Sequence, residues 1–325
     1  MPRPLRTLLT YTYPQTTDIA TLGCRVSVSL GHGSSIGVVL GLAEETTTHY
    51  KLKPIKALLD REPLLDAHVL ELIQWAARYY QHAIGEVVFT ALPNALRDGK
   101  SLPQTITWQA LVKPEAATQL KRAKRQADLY QWLSEQGAPC SASAIHSHLG
   151  DGWRQIVAAL MDKGLVQEKL SQPQACRPSL TKVTPKLELT EQQQICLDQC
   201  KEWMQAPTPQ PILLHGVTGS GKTEIYLRLI ENVLASGKQT LILVPEIGLT
   251  PQLVQRFSSH FPEQSISSLH SGLNDTERLQ AWMEARSGQA GIVIGTRSAV
   301  FTAFAHLGLI IIDEEHDTSL KQQEG

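Results

Sequence analysis

The period of apolar positions shifts along this chain, from alternation near the N-terminus to continuous runs in the C-terminal half. Residues 25–30 (Arg-Val-Ser-Val-Ser-Leu) alternate polar and apolar side chains, as a strand with one buried face does. A turn at 31–35 and an apolar return run at 36–40 predict a β-hairpin. From 66 to 81 the residues Val69, Leu70, Ile73, Ala77 and Tyr80 recur at helical spacing, with Asp66 as the cap and Gly85 as the stop. Residues 1–105 therefore read as a small β-rich domain with an appended helix.

Helical signals follow at 119–136, 142–149 and 153–163, each ended by glycine, and 165–170 is strand-like. Three helices and a wing predict a winged-helix domain over 115–175, a fold that serves either DNA binding or protein contact. Pro173, Pro178 and Pro185 among Ser, Gln and Thr mark 171–186 as linker, with 176–186 separating the domains. Beyond it the signals come at α/β cadence. A helix around 195–203 precedes an apolar run at 212–215 and a helix over 224–234. Continuous apolar strands at 240–245, 291–296 and 307–312 alternate with helical patterns at 250–260 and 275–285. That alternation predicts a parallel sheet covered on both faces over 187–325.

Composition narrows the class without changing this outline. At 325 residues, 42% hydrophobic and 19% charged, the chain is an ordinary globular protein with room for two or three domains. No run approaches the roughly 20 apolar residues a membrane helix needs, and Met-Pro-Arg-Pro-Leu-Arg lacks the apolar core of a secretory signal. The five cysteines, odd in number and irregularly spaced, fit a reducing compartment, so a cytoplasmic location is expected. Charge is uneven: Lys and Arg outnumber Asp and Glu by 9 to 5 over 116–182 and trail by 10 to 16 over 183–325. Lys121, Arg122, Lys124, Arg125 and Arg154 in the helical segment favour contact with backbone phosphate. Lys51, Lys53 and Lys56 either meet phosphate or form a solvated face.

The most specific chemistry lies at Gly216-Val217-Thr218-Gly219-Ser220-Gly221-Lys222-Thr223, between an apolar run and a helix. Backbone N–H groups of such a loop, backed by the helix dipole, cradle phosphate oxygens. Lys222 is then placed for the β/γ-phosphates and the Thr223 hydroxyl for Mg²⁺. Asp313 ends a wholly apolar run, the position from which a carboxylate holds Mg²⁺ through its water shell. Glu314 is next, able to orient and deprotonate an attacking water, and His316 is placed to sense the γ-phosphate side. An Asp-Glu pair at a strand end alone would be a helix cap; the upstream phosphate loop changes that reading. Ligands of parallel sheets sit beyond the carboxyl ends of the strands. There the Gly216 loop, the Pro245-Glu246 turn, the Thr296-Arg297 turn and Asp313-Glu314 are all expected.

Asp313-Glu314-Glu315-His316 together with Gly219-Ser220-Gly221-Lys222-Thr223 resembles the superfamily 2 DExH helicases. Residues 243–252 (Leu-Val-Pro-Glu-Ile-Gly-Leu-Thr-Pro-Gln), 295–301 (Gly-Thr-Arg-Ser-Ala-Val-Phe) and the run 313–325 narrow the resemblance to the bacterial replication-restart helicases, the family of primosomal protein N′, and it extends over the whole chain. The resemblance implies a RecA-like first helicase lobe from about 187, acting with ATP and Mg. It implies an ATP-dependent 3′→5′ DNA helicase that recognises stalled or branched forks and initiates primosome assembly. Single-stranded-DNA-binding protein and primosome proteins are implied partners, and no membrane is.

By the same resemblance Gln192 reads adenine, with Gln193 as the alternative, and Glu246, Thr250, Thr296 and Arg297 line the DNA path. The resemblance implies that the first domain captures the 3′ end of a nascent strand: Asp18 accepts a hydrogen bond from the 3′-hydroxyl, Gly31 lets the base approach and Lys53 pairs with phosphate. The family's aromatic residue before that acid is replaced by Thr17. The family's second lobe, with its two-zinc insertion and the arginines that complete hydrolysis, is not found within 1–325. Zinc is therefore not expected in this chain, which reads as an N-terminal fragment or a truncated reading, expected to bind ATP but hydrolyse it poorly. The alternative is a fork-structure DNA-binding module without ATPase activity.

Overall fold

The first hairpin forms where alternation predicts it. β1 (Arg25–Leu30) pairs antiparallel with β2 (Gly33–Val38), and β3 (Ile55–Leu58) flanks β1 on its other side. The turn is shorter than the five residues expected: Leu30 already pairs with Gly33. A two-residue loop needs positive φ at its first position, and Gly31 supplies +59°. The computed structural model describes residues 4–13, 21–43, 51–102, 105–113, 120–121, 123–137, 139–171, 188–206, 208–217, 219–248 and 250–320. They fall into two compact units, Met1–Ser101 with Ala175–Gly325, and Leu102–Gln174.

Three helices complete the N-terminal part. α1 (Ala67–Tyr79) begins at Asp66, whose carboxylate accepts the Val69 N–H at 2.9 Å, satisfying a first-turn donor. Gly85 does not stop this helix. The chain turns at Gln81, with φ of 53°, and Gly85 lies inside α2 (Ile84–Thr90), where its N–H bonds Leu5 O. α3 (Asn94–Arg97) follows. The most buried charge here is Arg25, at 0% exposure. Its guanidinium meets both Asp60 carboxylate oxygens at 2.7 and 3.0 Å, and Nη1 donates to Leu96 O and Lys100 O. One side chain thus ties β1 to the segment after β3 and to the end of α3.

The second unit pairs β4 (Thr105–Ala110) antiparallel with β5 (Cys140–Ser141) and β6 (Val166–Ser171), in the order β5-β4-β6. α4 (Lys124–Gln136), α5 (Ala142–Leu149) and α6 (Trp153–Asp162) pack around a core of Leu129, Leu133, Ile145, Val157, Leu160 and Leu165. Three helices on a small antiparallel sheet is what the structure describes; residues 119 and 122 lie outside the described set.

The remaining part is an α/β lobe. α7 (Glu191–Met204) opens on a capping box between Thr190 and Gln193. α8 (Lys222–Ala235) comes next. β7 (Gln239–Leu243), β8 (Ser265–Leu269), β9 (Ala290–Gly295) and β10 (Leu307–Ile312) form a wholly parallel sheet in the order β10-β7-β9-β8. α9 (Pro251–His260) and α10 (Asp275–Arg286) are the crossovers. Alternate residues point to opposite faces: Ile242, Val244, Ile292, Ile294 and Ile311 join Leu227, Ile230, Phe257 and Phe261 on one side, while Leu241, Leu243 and Val293 meet Ala281 and Ala285 on the other. Burial on both faces is why β9 and the end of β7 read as unbroken apolar runs, whereas Leu307, Ile310 and Ile312 of β10 are exposed.

The apolar run at 212–215 departs from expectation, for it forms no described strand. A strand exists only through lateral hydrogen bonds, and none of the described strands pairs with it. Leu214 instead packs with Leu197, Cys200 and Leu229, while Leu213 is 81% exposed. No described helix is long and apolar enough to cross a membrane.

Candidate nucleotide site

Because β7, β9 and β10 run parallel, their carboxyl ends share one rim of the sheet. Glu246 follows β7 in a 3₁₀ turn, Thr296 and Arg297 follow β9, and Asp313 to His316 follow β10. α8 packs on β7 and β10, and its first residue is Lys222. The helix N-terminus and its glycine loop are thereby aimed at that rim. The Lys222 ammonium lies near enough to the Asp313 carboxyl to favour its charged form, the weakest of the influences on that group.

The loop is built for close approach. A Cβ on Gly216 would lie 2.6 Å from Ser220 Oγ, and one on Gly221 would collide with the Gln193 amide. Gly221 also has φ of +84°, a conformation L side chains rarely adopt. Lys222 Nζ donates to Gly216 O at 2.8 Å and Val217 O at 3.3 Å, so its charge is held over the loop's own carbonyls. Phosphate oxygens are the natural replacement acceptors for those donors. Glycines without room for Cβ, a helix N-terminus and an ammonium inside the loop together fit a nucleoside polyphosphate.

Burial, then the charge of Glu314, pushes the Asp313 carboxyl above the usual carboxylate range, while the Glu314 N–H and Lys222 oppose the rise. Glu314 sits at φ of 51°, left-handed backbone for a non-glycine residue, and its N–H reaches Asp313 Oδ1 at 3.2 Å. Such strain costs on the order of 1–3 kcal/mol and concentrates at functional sites. His316 is exposed and its Nε2 lies 3.6 Å from Glu314 Oε2. Asp313 and Thr223 are the residues that would hold a metal, and a half-buried, proton-favouring carboxyl is one that a cation restores to its charged form.

A raised acid pKa means that the ionised form is disfavoured in the folded chain. The resulting stability cost appears as pH rises through the folded value and is absent well below the unfolded one. Asp313→Asn is therefore expected to raise the melting temperature of the nucleotide-free chain at pH 7 by about 1–3 °C, with the gain vanishing in acid. Thermal melts across pH check this; a lower melting temperature at pH 7 would contradict it.

Gln193, named above as the alternative adenine reader, takes a different role, and Tyr226 joins the site unassigned by the motifs. Gln193 accepts the Thr190 N–H and donates Nε2 to Ser220 O at 2.9 Å, so it braces the phosphate loop, whereas Gln192 is exposed on the first turn of α7. Tyr226, one helical turn beyond Lys222, has its phenol pushed up to about 12 by burial and by the Asp313 and Glu314 carboxylates, so a neutral hydroxyl lies beside the pair. The i, i+4 spacing from Lys222 is the signal that would have found it.

On the DNA-side positions, Glu246 and Arg297 are exposed, while Thr250 caps α9, accepting the Leu253 N–H at 3.2 Å. Thr296 is 5% exposed, its N–H bonded to Leu269 O, so the outward side chain of that turn is Arg297. In the first domain Gly31 stands at the hairpin tip, and Lys53 is exposed, its carbonyl accepting the Thr12 N–H. Asp18 and Thr218 lie outside the described residues.

Two known families match separate parts of the chain. A 3′DNA-binding domain (3′BD) family matches residues 1–93, and a DEAD/DEAH box helicase family matches 189–325. The chain is 41% identical over 99% of its length to the replication restart protein PriA of Haemophilus influenzae, covering 44% of that protein. It is 37% identical over 80% of its length to the Bacillus subtilis PriA, covering 32% of it. Against the Synechocystis PriA the identity is 43% over 59% of this chain and 22% of the relative. The chain thus spans less than half the length of these curated relatives. Both of its matched regions and its near full-length identity show that it belongs to the PriA family of replication restart proteins.

Proposed function

We propose that this chain binds Mg–ATP and branched DNA bearing a 3′ end, as the DNA-reading domains and first motor lobe of an ATP-dependent 3′→5′ DNA helicase that restarts stalled replication in the cytoplasm. The observation that supports this reading is the nearness of Lys222, at the start of α8, to the Asp313 carboxyl that follows β10, on the rim that also bears Glu246 and Arg297. Lys222, Thr223 and the loop N–H groups bind and orient the phosphates, and Gln193 holds the loop. Glu314 is the group that takes the proton of an attacking water. Mg²⁺, when bound, neutralises phosphate charge.

The match of 1–93 to a 3′DNA-binding domain supports end capture there, with Gly31, Lys53 and Asp18 as the assigned contacts. The second unit is read as a winged helix. Its three helices, small antiparallel sheet and basic Lys121, Lys124, Arg125 and Arg154 support contact with backbone phosphate. Single-stranded-DNA-binding protein and primosome proteins are the proposed partners of the whole helicase.

The test is binding of this chain to forks with and without a leading-strand 3′ end, alongside Mg–ATP binding and turnover. Tighter binding to the end-bearing fork and nucleotide binding with little hydrolysis are expected. Equal affinity for both forks would remove end capture, and brisk turnover would overturn the expectation of a hydrolytically weak chain.

A further inference from the structure

One face of α10 is committed to the N-terminal part rather than to the sheet. Asp275, Arg278, Trp282 and Arg286 follow one another at spacings of three or four, which stacks them on a single stripe. Trp282 is 3% exposed and donates Nε1–H to Ala91 O at 3.0 Å. Arg286 Nη2 donates to Pro63 O at 2.8 Å and its Nε to Leu64 O at 3.3 Å. Asn94 Nδ2 donates to Asp275 Oδ1 at 2.9 Å, and Arg97 beside it feels the charges of Arg278 and Asp275. The 3₁₀ turn Arg297–Phe301 touches α1 as well. The segment carrying Arg297 is thus set against the same domain that α10 grips.

These contacts are directional. Each of the three side-chain donors ends on a specific carbonyl or carboxylate, so a rotation of the N-terminal part would break several bonds together. A sliding apolar patch would not hold a distance in this way. We propose that α10 is a spacer that fixes the DNA-end domain against the Arg297 turn, so that one branched DNA is gripped at both places at once. This rests on the DNA reading above. Two grips at a fixed separation raise the effective concentration of the second contact, which multiplies affinity without any new contact.

The expected result is a loss confined to DNA that engages both grips. Asn94→Asp sets a carboxylate against Asp275, and Trp282→Phe removes the indole donor, leaving a smaller aromatic ring in its place. Three DNAs are compared with the 325-residue chain: a fork with a 3′ end at the branch, a short duplex with an accessible 3′ end, and a single strand with a blocked 3′ end. Both variants are expected to weaken fork binding by about tenfold or more and to leave the two simple DNAs unchanged. Asn94→Asp combined with Asp275→Asn, which restores an Asn–Asp pair in reverse, is expected to recover fork affinity. Unchanged fork binding overturns the spacer. Equal loss on all three DNAs also overturns it, since α10 would then support the fold alone. A wild-type chain that shows no gain for the end-bearing fork brings down the DNA reading itself, and the spacer with it.

Discussion

Lys222→Ala is expected to weaken Mg–ATP binding by roughly a hundredfold, about 3 kcal/mol, the worth of one or two charge-assisted hydrogen bonds. The ammonium already sits inside the loop, donating to Gly216 O and Val217 O, so nucleotide binding requires only a change of acceptor. Nothing else described in the loop carries a positive charge, and the backbone N–H groups cannot replace one. The substitution should leave the fold intact, because Lys222 is the first residue of α8 and its partners are loop carbonyls. Titration with a fluorescent nucleotide measures the loss. Fork binding without nucleotide is expected to be unaffected, and a Lys222→Ala chain that binds ATP like the wild type would remove the nucleotide site.

Asp60→Ala is expected to destabilise the chain by about 3–5 kcal/mol, because it strands the buried Arg25 charge without its counter-ion. That is a large share of the 5–15 kcal/mol of an ordinary folded protein. The cost arises from the unpaired ion and not from the lost pair: Arg25 has 0% exposure and no route to water. Replacing both partners by apolar residues, Arg25→Met with Asp60→Leu, should recover much of the loss. Urea unfolding of the three chains distinguishes the cases. A single variant as stable as the wild type would show that Leu96 O and Lys100 O alone satisfy the guanidinium.

The elements legible in the sequence are those whose pattern is set by burial. β9 and residues 241–243 of β7 are apolar because helices cover both of their faces, β10 is apolar although Leu307, Ile310 and Ile312 are exposed, and α1 is periodic with a capping carboxylate at its start. What escaped reading depends on partners remote in the chain. β4 pairs with β6 across the whole helical segment, and β8, Ser-Ile-Ser-Ser-Leu, is an edge strand whose polar residues hide its period. The apolar run at 212–215 has the composition of a strand and no strand beside it among the described residues. Site chemistry was legible through Gly216–Thr223 and Asp313–Glu314, since glycine and carboxylate placement there follows from the ligand. The bracing by Gln193 was not, because it rests on a side chain of one helix reaching a carbonyl at the start of another. Nor was the stripe on α10: its Ala281 and Ala285 face the sheet while Trp282 and Arg286 face the N-terminal part, so no single apolar face stands out.

The central claim is that the phosphate loop and the carboxylates after β10 act on one nucleotide. It is tested most directly by measuring ATP affinity with Mg²⁺ and with a chelator, in the wild-type chain and in Asp313→Ala. Mg²⁺ is expected to strengthen binding to the wild type and to have much less effect on Asp313→Ala, whose remaining affinity rests on Lys222, Thr223 and the loop N–H groups. An Asp313→Ala chain that keeps the full Mg²⁺ effect would contradict it.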